Sequence, residues 1–369
     1  MVGSGVRPWS RQRPMVAGLG AIVCNAGMRI LTLLLKGLAG LVVALWAGLA
    51  VWAYWPGEAE VPAAQLAAPG DRFVRVGDLD LRYRRWGSDD PARPTLLLIH
   101  GFGNSLQSFR LLGPALAACC NVVAIDLPGY GLSSKPVEHD YHNGPQAQVL
   151  VDAARALGLQ DVIYAGHSLG GAIALHAVLR DPGARGLVLM NPGILSTGVP
   201  KIVQVTVPPL PRMSAKMFGS REFRGEFLRK SYVDPGIVTE QVIDDVMLAA
   251  RSEGYMAGMT SLMQQYAEGE EIALAPRVGV PVLIPWGNED RNKPRAEADA
   301  LQRLLPGSVL VRIEGAGHYV HEEKPAAVAR AIETWLATLT PAAPATIGTS
   351  AAGPTLTMPA VQPPGSGSP

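Results

Sequence analysis

VIYAGHSLGGAIALH, Val162 to His176, joins a short apolar run to an alanine-rich helical pattern through Gly166-His167-Ser168-Leu169-Gly170. The first part predicts a buried strand and the part after Ser168 a helix. A strand that reverses into a helix within so few residues holds the residue at its apex in a strained backbone conformation, its side chain projecting from the turn. That residue is Ser168, in the G-x-S-x-G spacing of a nucleophile elbow. Side chains at positions 166 and 170 would collide with the facing strand and helix, which explains the two glycines. The helix after Ser168 aims its N-terminal N–H groups and positive dipole end at the place where an oxyanion would form. G-x-S-x-G alone is a weak signal in a chain with 41 glycines; the strand before it, the helix after it and Gly171 strengthen it.

Outward from the elbow the same rhythm recurs. Residues 73–86 alternate apolar and polar around Gly77-Asp78, as in an edge hairpin. Thr95–Ile99, TLLLI, is a continuous apolar run of the kind buried on both faces of a parallel sheet. Then follow a helix near 106–118, strand 122–125, helix 146–157, strand 162–165, the elbow helix and strand 187–190. After a gap come strand 282–285, helix 295–305, strand 309–313 and helix 325–339. This alternation predicts an α/β fold, a mostly parallel sheet with helices on both faces. Between Asn191 and about Ala275 the rhythm breaks. Val207-Pro208-Pro209-Leu210-Pro211 should stop any regular element, and helical patterns near 220–231 and 239–266 follow with no strand between them. A lid folded over a pocket is the economical interpretation.

A serine hydroxyl is a weak nucleophile and needs a base that a third group orients. Strand 282–285 leads into Trp286-Gly287-Asn288-Glu289-Asp290, and strand 309–313 into Glu314-Gly315-Ala316-Gly317-His318. Groups at the carboxyl ends of parallel strands converge on one crevice. Ser168, Asp290 and His318 are therefore the candidate nucleophile, acid and base, with His321 as rival base and Glu289 as rival acid. Two backbone donors complete the site: the N–H of Leu169 and one from His100-Gly101-Phe102-Gly103, assigned to Phe102. His167 is read as shaping the elbow, His100 as packing under the oxyanion loop, and Asp126-Leu127-Pro128-Gly129-Tyr130-Gly131 as a structural turn. The strand ending at Asn191 leaves the alternative acid position empty.

The formal charge is +1, yet residues 1–55 carry Arg7, Arg11, Arg13, Arg29 and Lys36 and no acid. The rest of the chain is net acidic and has no basic patch suited to nucleic acid. From Ile30 the sequence is apolar except for Lys36, and residues 37–55 approach the roughly 20 needed to cross a hydrocarbon core. Interfacial Trp46, Trp52, Tyr54 and Trp55 weight the far end and the basic residues lie on the near side. This predicts an uncleaved signal-anchor over residues 30–55, N-terminus in the cytoplasm and catalytic domain outside. A cleaved secretory signal and a buried core helix are the alternatives. Residues 1–29 are expected to be a disordered basic segment, with Met28 as an alternative start, 56–71 a linker, 72–193 and 272–339 the core, 194–271 a helical cap, and 340–369 a disordered tail. Cys119 and Cys120 are adjacent, about 3.8 Å apart at Cα, closer than usual disulfide geometry. No spacing suggests a metal.

The segments HGFGNS, DLPGYGLSS, GHSLGG, WGNEDRNKP and GAGHYVHEEKP, in this order, resemble the α/β-hydrolase family across residues 73–339. The resemblance implies an eight-stranded, mostly parallel sheet, a helical cap after strand six, and a Ser-His-Asp mechanism without cofactor. Serine rather than aspartate at the elbow argues against epoxide hydrolases and dehalogenases. His167 and the Gly-Asn-Ser loop depart from the carbon–carbon hydrolases of ring-fission products, so esterases and monoacylglycerol-type lipases, some membrane-anchored, are the better match. The expected substrate is a small-molecule ester. A carbon–carbon hydrolase and a non-catalytic binding protein of the same fold are the alternatives; oligomeric state is left open. Six of the eleven methionines fall between Met213 and Met263, which predicts an adaptable apolar pocket favouring acyl chains.

Overall fold

The computed structural model describes residue 5 and residues 16–57, 59–197, 205–265, 267 and 269–339; for residues 16–27 it describes the backbone alone. The expected disordered tail, residues 1–4 and 6–15 of the basic N-terminal segment and residues 198–204 of the cap lie outside the described residues.

The chain begins with helix α1 (Val16–Tyr54), then a short α2 (Ala63–Leu66). Eight strands form one sheet: β1 (Arg72–Val76), β2 (Leu79–Trp86), β3 (Thr95–Ile99), β4 (Asn121–Ile125), β5 (Val162–His167), β6 (Gly186–Met190), β7 (Val282–Gly287) and β8 (Val309–Ile313). Their spatial order is β1-β2-β4-β3-β5-β6-β7-β8; β1 and β2 are antiparallel to their neighbours and the rest run parallel. Alternate side chains of the central strands feed two cores. Leu97, Ile99 and Tyr164 pack on one face, Leu96, Leu98 and Ile163 on the other, as the period of two requires. The chain leaves β3 toward β4 and later returns to its other side as β5. That reversal opens a crevice beyond the strands' carboxyl ends.

The helices are α3 (Leu112–Leu116), α4 (Asn143–Ala156) and α5 (Leu169–Val178) in the first half of the core, and α11 (Arg295–Leu304), α12 (Val320–Glu323) and α13 (Pro325–Leu336) in the second. Between β6 and β7 lie α6 (Leu210–Phe218), α7 (Arg221–Ser231), α8 (Glu240–Arg251), α9 (Tyr255–Gln265) and the short α10 (Glu271–Leu274). The proline-rich run, expected to stop any regular element, instead starts α6. Pro211 lies in the first turn, where a missing N–H costs no intrahelical bond. The long helical pattern at 239–266 is two helices, broken at Ser252-Glu253-Gly254, where Gly254 has φ +80°.

Three further expectations change. Helix α1 starts at Val16 instead of near Ile30, because Val16–Gly27 holds no charge or proline to stop it. Residues 56–71 are not a loose spacer. Val61 pairs with the Arg251–Glu253 backbone, and Glu60 accepts the N–H groups of Gly254 (2.7 Å) and Met256 (3.0 Å), an anion at the N-terminus of α9. Cys119 and Cys120 are joined as a vicinal disulfide in the turn before β4.

Helix α1 contains a 27-residue apolar stretch, Met28–Tyr54, whose large side chains stand exposed. Its end meets the cap. Lys216 of α6 donates to the carbonyls of Trp52 (2.8 Å) and Trp55 (2.9 Å), and Arg212 donates to that of Ala53 (3.2 Å). Cations at a helix C-terminus satisfy its last carbonyls and its dipole.

Candidate active site

Ser168 caps α5 with φ 52° and ψ −118°, the strained apex anticipated from the motif. A Cβ at Gly166 would strike the backbone of Gly170 and Gly171, and one at Gly170 the carbonyls of Ile99 and His100. The elbow is thus wedged against the end of β3, which brings the His100–Gly103 loop beside the serine. A Cβ on Gly101 would lie 3.1 Å from that of Ser168.

His318, in the loop after β8, reaches both partners. Its Nε2 is 3.1 Å from Ser168 Oγ and its Nδ1 2.7 Å from Asp290 Oδ2. Asp290 also accepts the N–H groups of Asn292 (2.8 Å) and Lys293 (3.1 Å) at Oδ1 and the Asn191 amide at Oδ2 (2.9 Å). Burial pushes this carboxyl up, but the hydrogen bonds and charge of His318 and its other donors outweigh burial and hold it below its usual value. The sequence read the end of β6 as an empty acid position. Asn191 instead uses its amide to orient Asp290, while its Oδ1 accepts the N–H of Gly287 (2.9 Å). Its positive φ of 41° is a strain that no sequence pattern announces.

The rivals are occupied elsewhere. His321 is fully buried, 2.7 Å from Ser108 Oγ, and burial, the Arg110 charge and His318 push it down to about 3. Glu289 accepts the N–H of Ala316 (3.1 Å) and faces Arg295. His167 Nε2 meets the backbone carbonyl of His318 at 2.9 Å; burial first, then the neighbouring His321 and His318, hold this imidazole well below its usual range. It donates as a neutral ring and so fixes the backbone of His318. His100 sits under the oxyanion loop, Nδ1 2.8 Å from the Gly101 carbonyl and Nε2 accepting the N–H of Leu127 (3.1 Å).

Phe102 and Leu169 line one cavity with Ser168, of about 510 Å³. As the first residue of α5, Leu169 presents an N–H ahead of the helical ladder. Tyr130, Tyr141 and Leu262 supply apolar wall, while Arg180, Gln265 and Glu270 supply polar wall. Met259 and Met263 are packed in the core and do not line this cavity, so the expectation of a methionine-lined pocket is corrected. Sequence reading also missed Glu271. This buried carboxylate accepts from His176 (2.9 Å) and Asn143 (2.7 Å), ties α10 to α5 at the cavity wall, and is held below its usual value because those bonds outweigh burial. Chemically, the arrangement can move a proton from a hydroxyl to an imidazole whose other nitrogen is fixed by a carboxylate, beside backbone donors.

The chain matches the α/β-hydrolase fold over residues 94–325. It is 28% identical over 274 residues to the uncharacterized hydrolase YugF of Bacillus subtilis, covering 74% of this chain and 99% of that protein. It is 31% identical over 275 residues to the magnesium-chelatase 30 kDa subunit of Rhodobacter capsulatus, covering 71% and 93%. Among solved structures, a bacterial membrane phospholipase A superposes with a TM-score of 0.60 at 26% identity, covering 85% of this chain and 99% of that one. Sequence match, strand order and cap insertion agree, and the chain belongs to the α/β-hydrolase-fold family.

Proposed function

We propose that this protein is a membrane-anchored serine hydrolase that cleaves carboxylic esters, with lipophilic acyl esters such as monoacylglycerols as the substrate class. The observation that carries the reading is the unbroken hydrogen-bond chain Ser168–His318–Asp290, whose serine lines the cavity. Ser168 Oγ bonds to the ester carbonyl carbon while its proton passes to His318 Nε2, and the carbonyl π pair moves to oxygen. Asp290 fixes the tautomer and stabilises the imidazolium; the N–H groups of Phe102 and Leu169 hold the oxyanion. Collapse breaks the bond to the alkoxy oxygen, which leaves with the His318 proton, and water repeats the sequence on the acyl-enzyme. A wall that is part apolar and part polar suits an acyl chain joined to a hydroxylated alcohol. The likeness to a membrane phospholipase A and the exposed apolar helix support the lipid and membrane parts of the reading.

A fluorophosphonate probe tests the class: the full chain is expected to be labelled at Ser168, and absence of label on folded protein would refute it. A panel of p-nitrophenyl esters tests the substrate. Leu262→Trp, which fills the cavity, is expected to lower the octanoate-to-butyrate ratio of kcat/KM about tenfold. The anchor has its own test. The protein should stay with membranes through carbonate extraction at full mass; a soluble form shortened near Ala53 or Ala59 would establish cleavage instead.

A further inference from the structure

Arg224, on cap helix α7, is 1% exposed. Its Nη2 donates to the carbonyl of Gly103 at 2.6 Å, while Nη1 is buried with no hydrogen-bond partner. The charged or ionisable groups acting on it are Tyr319, Tyr255 and Tyr232; among the described residues no carboxylate pairs with it. The guanidinium packs over the rings of Phe218 (5.2 Å) and Phe227 (5.6 Å), and Phe218 meets the ring of Phe102 edge-on at 5.4 Å. Arg224 does not line the cavity that Ser168 opens onto.

A guanidinium taken out of water without a counter-ion is strongly disfavoured unless its surroundings compensate. Two aromatic faces and one carbonyl do so in part. What the position gains is a grip on Gly103, the residue after Phe102, in a left-handed turn at φ +65° that the Gly101 carbonyl and Asn104 N–H close only loosely at 3.2 Å. We propose that Arg224 is a positioning residue for the oxyanion loop: reaching from the cap, it fixes the Gly103 carbonyl, keeps the Phe102 N–H aimed at the attacked carbonyl oxygen, and has its charge answered when that oxygen becomes an anion. Interactions that strengthen as negative charge develops lower the barrier without tightening substrate binding. The cap thereby completes the site chemically as well as covering it. This inference rests on the ester-hydrolase reading above.

The experiment uses the full chain in detergent micelles with Arg224→Met and Arg224→Lys. Arg224→Met is expected to lower kcat for p-nitrophenyl butyrate about 10²-fold with KM within about twofold. Inhibition by a trifluoromethyl ketone, whose serine adduct carries the oxyanion, should weaken by a similar factor, and Arg224→Lys should recover a large part of both losses. A merely structural residue would lower Tm without moving the ketone affinity relative to KM. Amide hydrogen exchange gives an arm independent of turnover: residues 101–104 should exchange faster in Arg224→Met while 166–170 do not. Unchanged exchange in the loop, or unchanged kcat and ketone affinity in folded Arg224→Met, overturns the proposal. If Arg224→Met does not fold, the same readings on Arg224→Gln decide, because its shorter side chain falls short of the Gly103 carbonyl: unchanged loop exchange, kcat and ketone affinity there overturn the proposal. Failure of the wild type to hydrolyse any ester would sink the functional reading, and the exchange result would still stand or fall alone.

Discussion

Ser168→Ala is expected to abolish ester turnover, lowering kcat by about 10⁴-fold or more, and to leave the fold untouched. In the proposed mechanism the hydroxyl supplies the atom that bonds the carbonyl carbon, so its loss leaves at most catalysis by the donors around it. Stability should not fall. Ser168 heads α5 without a side-chain capping bond, and alanine inherits the same φ of 52°. Ser168→Gly, which relaxes that backbone, should lose turnover equally and be more stable than Ser168→Ala by about 1 kcal/mol. Purified variants assayed with p-nitrophenyl butyrate, alongside chemical denaturation, check both statements. Turnover retained in Ser168→Ala would place the chemistry elsewhere, and a glycine variant no more stable than alanine would mean that the elbow carries no strain.

Much of this site was legible because it is built where local rules are strong. Gly166 and Gly170 have one physical purpose, the close approach of elbow to strand, and the alternation of Thr95–Ile99 with later βα units put the ends of β5, β7 and β8 on one edge. His318 can be preferred over His321 because it lies in the loop that leaves β8, while His321 falls at the entry of the next helix. What could not be read depends on contacts between segments distant in sequence. Nothing near Asn191 says that Asp290 will lie 2.9 Å from its amide, and nothing near Glu60 says that it will cap α9. The cap was the least legible part, since its helices pack on each other and on the end of α1 and not on a repeating sheet. Prolines that read as a stop became the entrance to α6, and of the methionines that suggested a pocket Met259 and Met263 are absorbed into packing while Met217 stands exposed.

The largest loss of stability is expected from Asp126→Ala, about 3–5 kcal/mol by analogy with broken buried ion pairs. Asp126 was read as part of a structural turn, and its surroundings show how much that turn holds. Its Oδ2 accepts Arg82 Nε at 2.6 Å and the N–H of Leu132 at 2.8 Å, and its Oδ1 accepts the N–H of Leu106 at 2.7 Å. Both ion-pair side chains are fully buried. Removal leaves Arg82 facing Asp71 at 3.4 Å and two backbone donors without their acceptor, each an added cost. Asp126→Asn keeps one acceptor oxygen and should fall between wild type and alanine. The damage should also reach the site. Leu127, the next residue, donates to His100 Nε2, and His100 holds the Gly101 carbonyl beneath the oxyanion loop. A variant still folded at low temperature should therefore show reduced kcat as well as an earlier denaturation midpoint. Denaturant titration of the three proteins provides the measurement. A loss below about 1 kcal/mol for Asp126→Ala would mean that water or Asp71 replaces the carboxylate, and that the turn is held by its backbone and not by this charge.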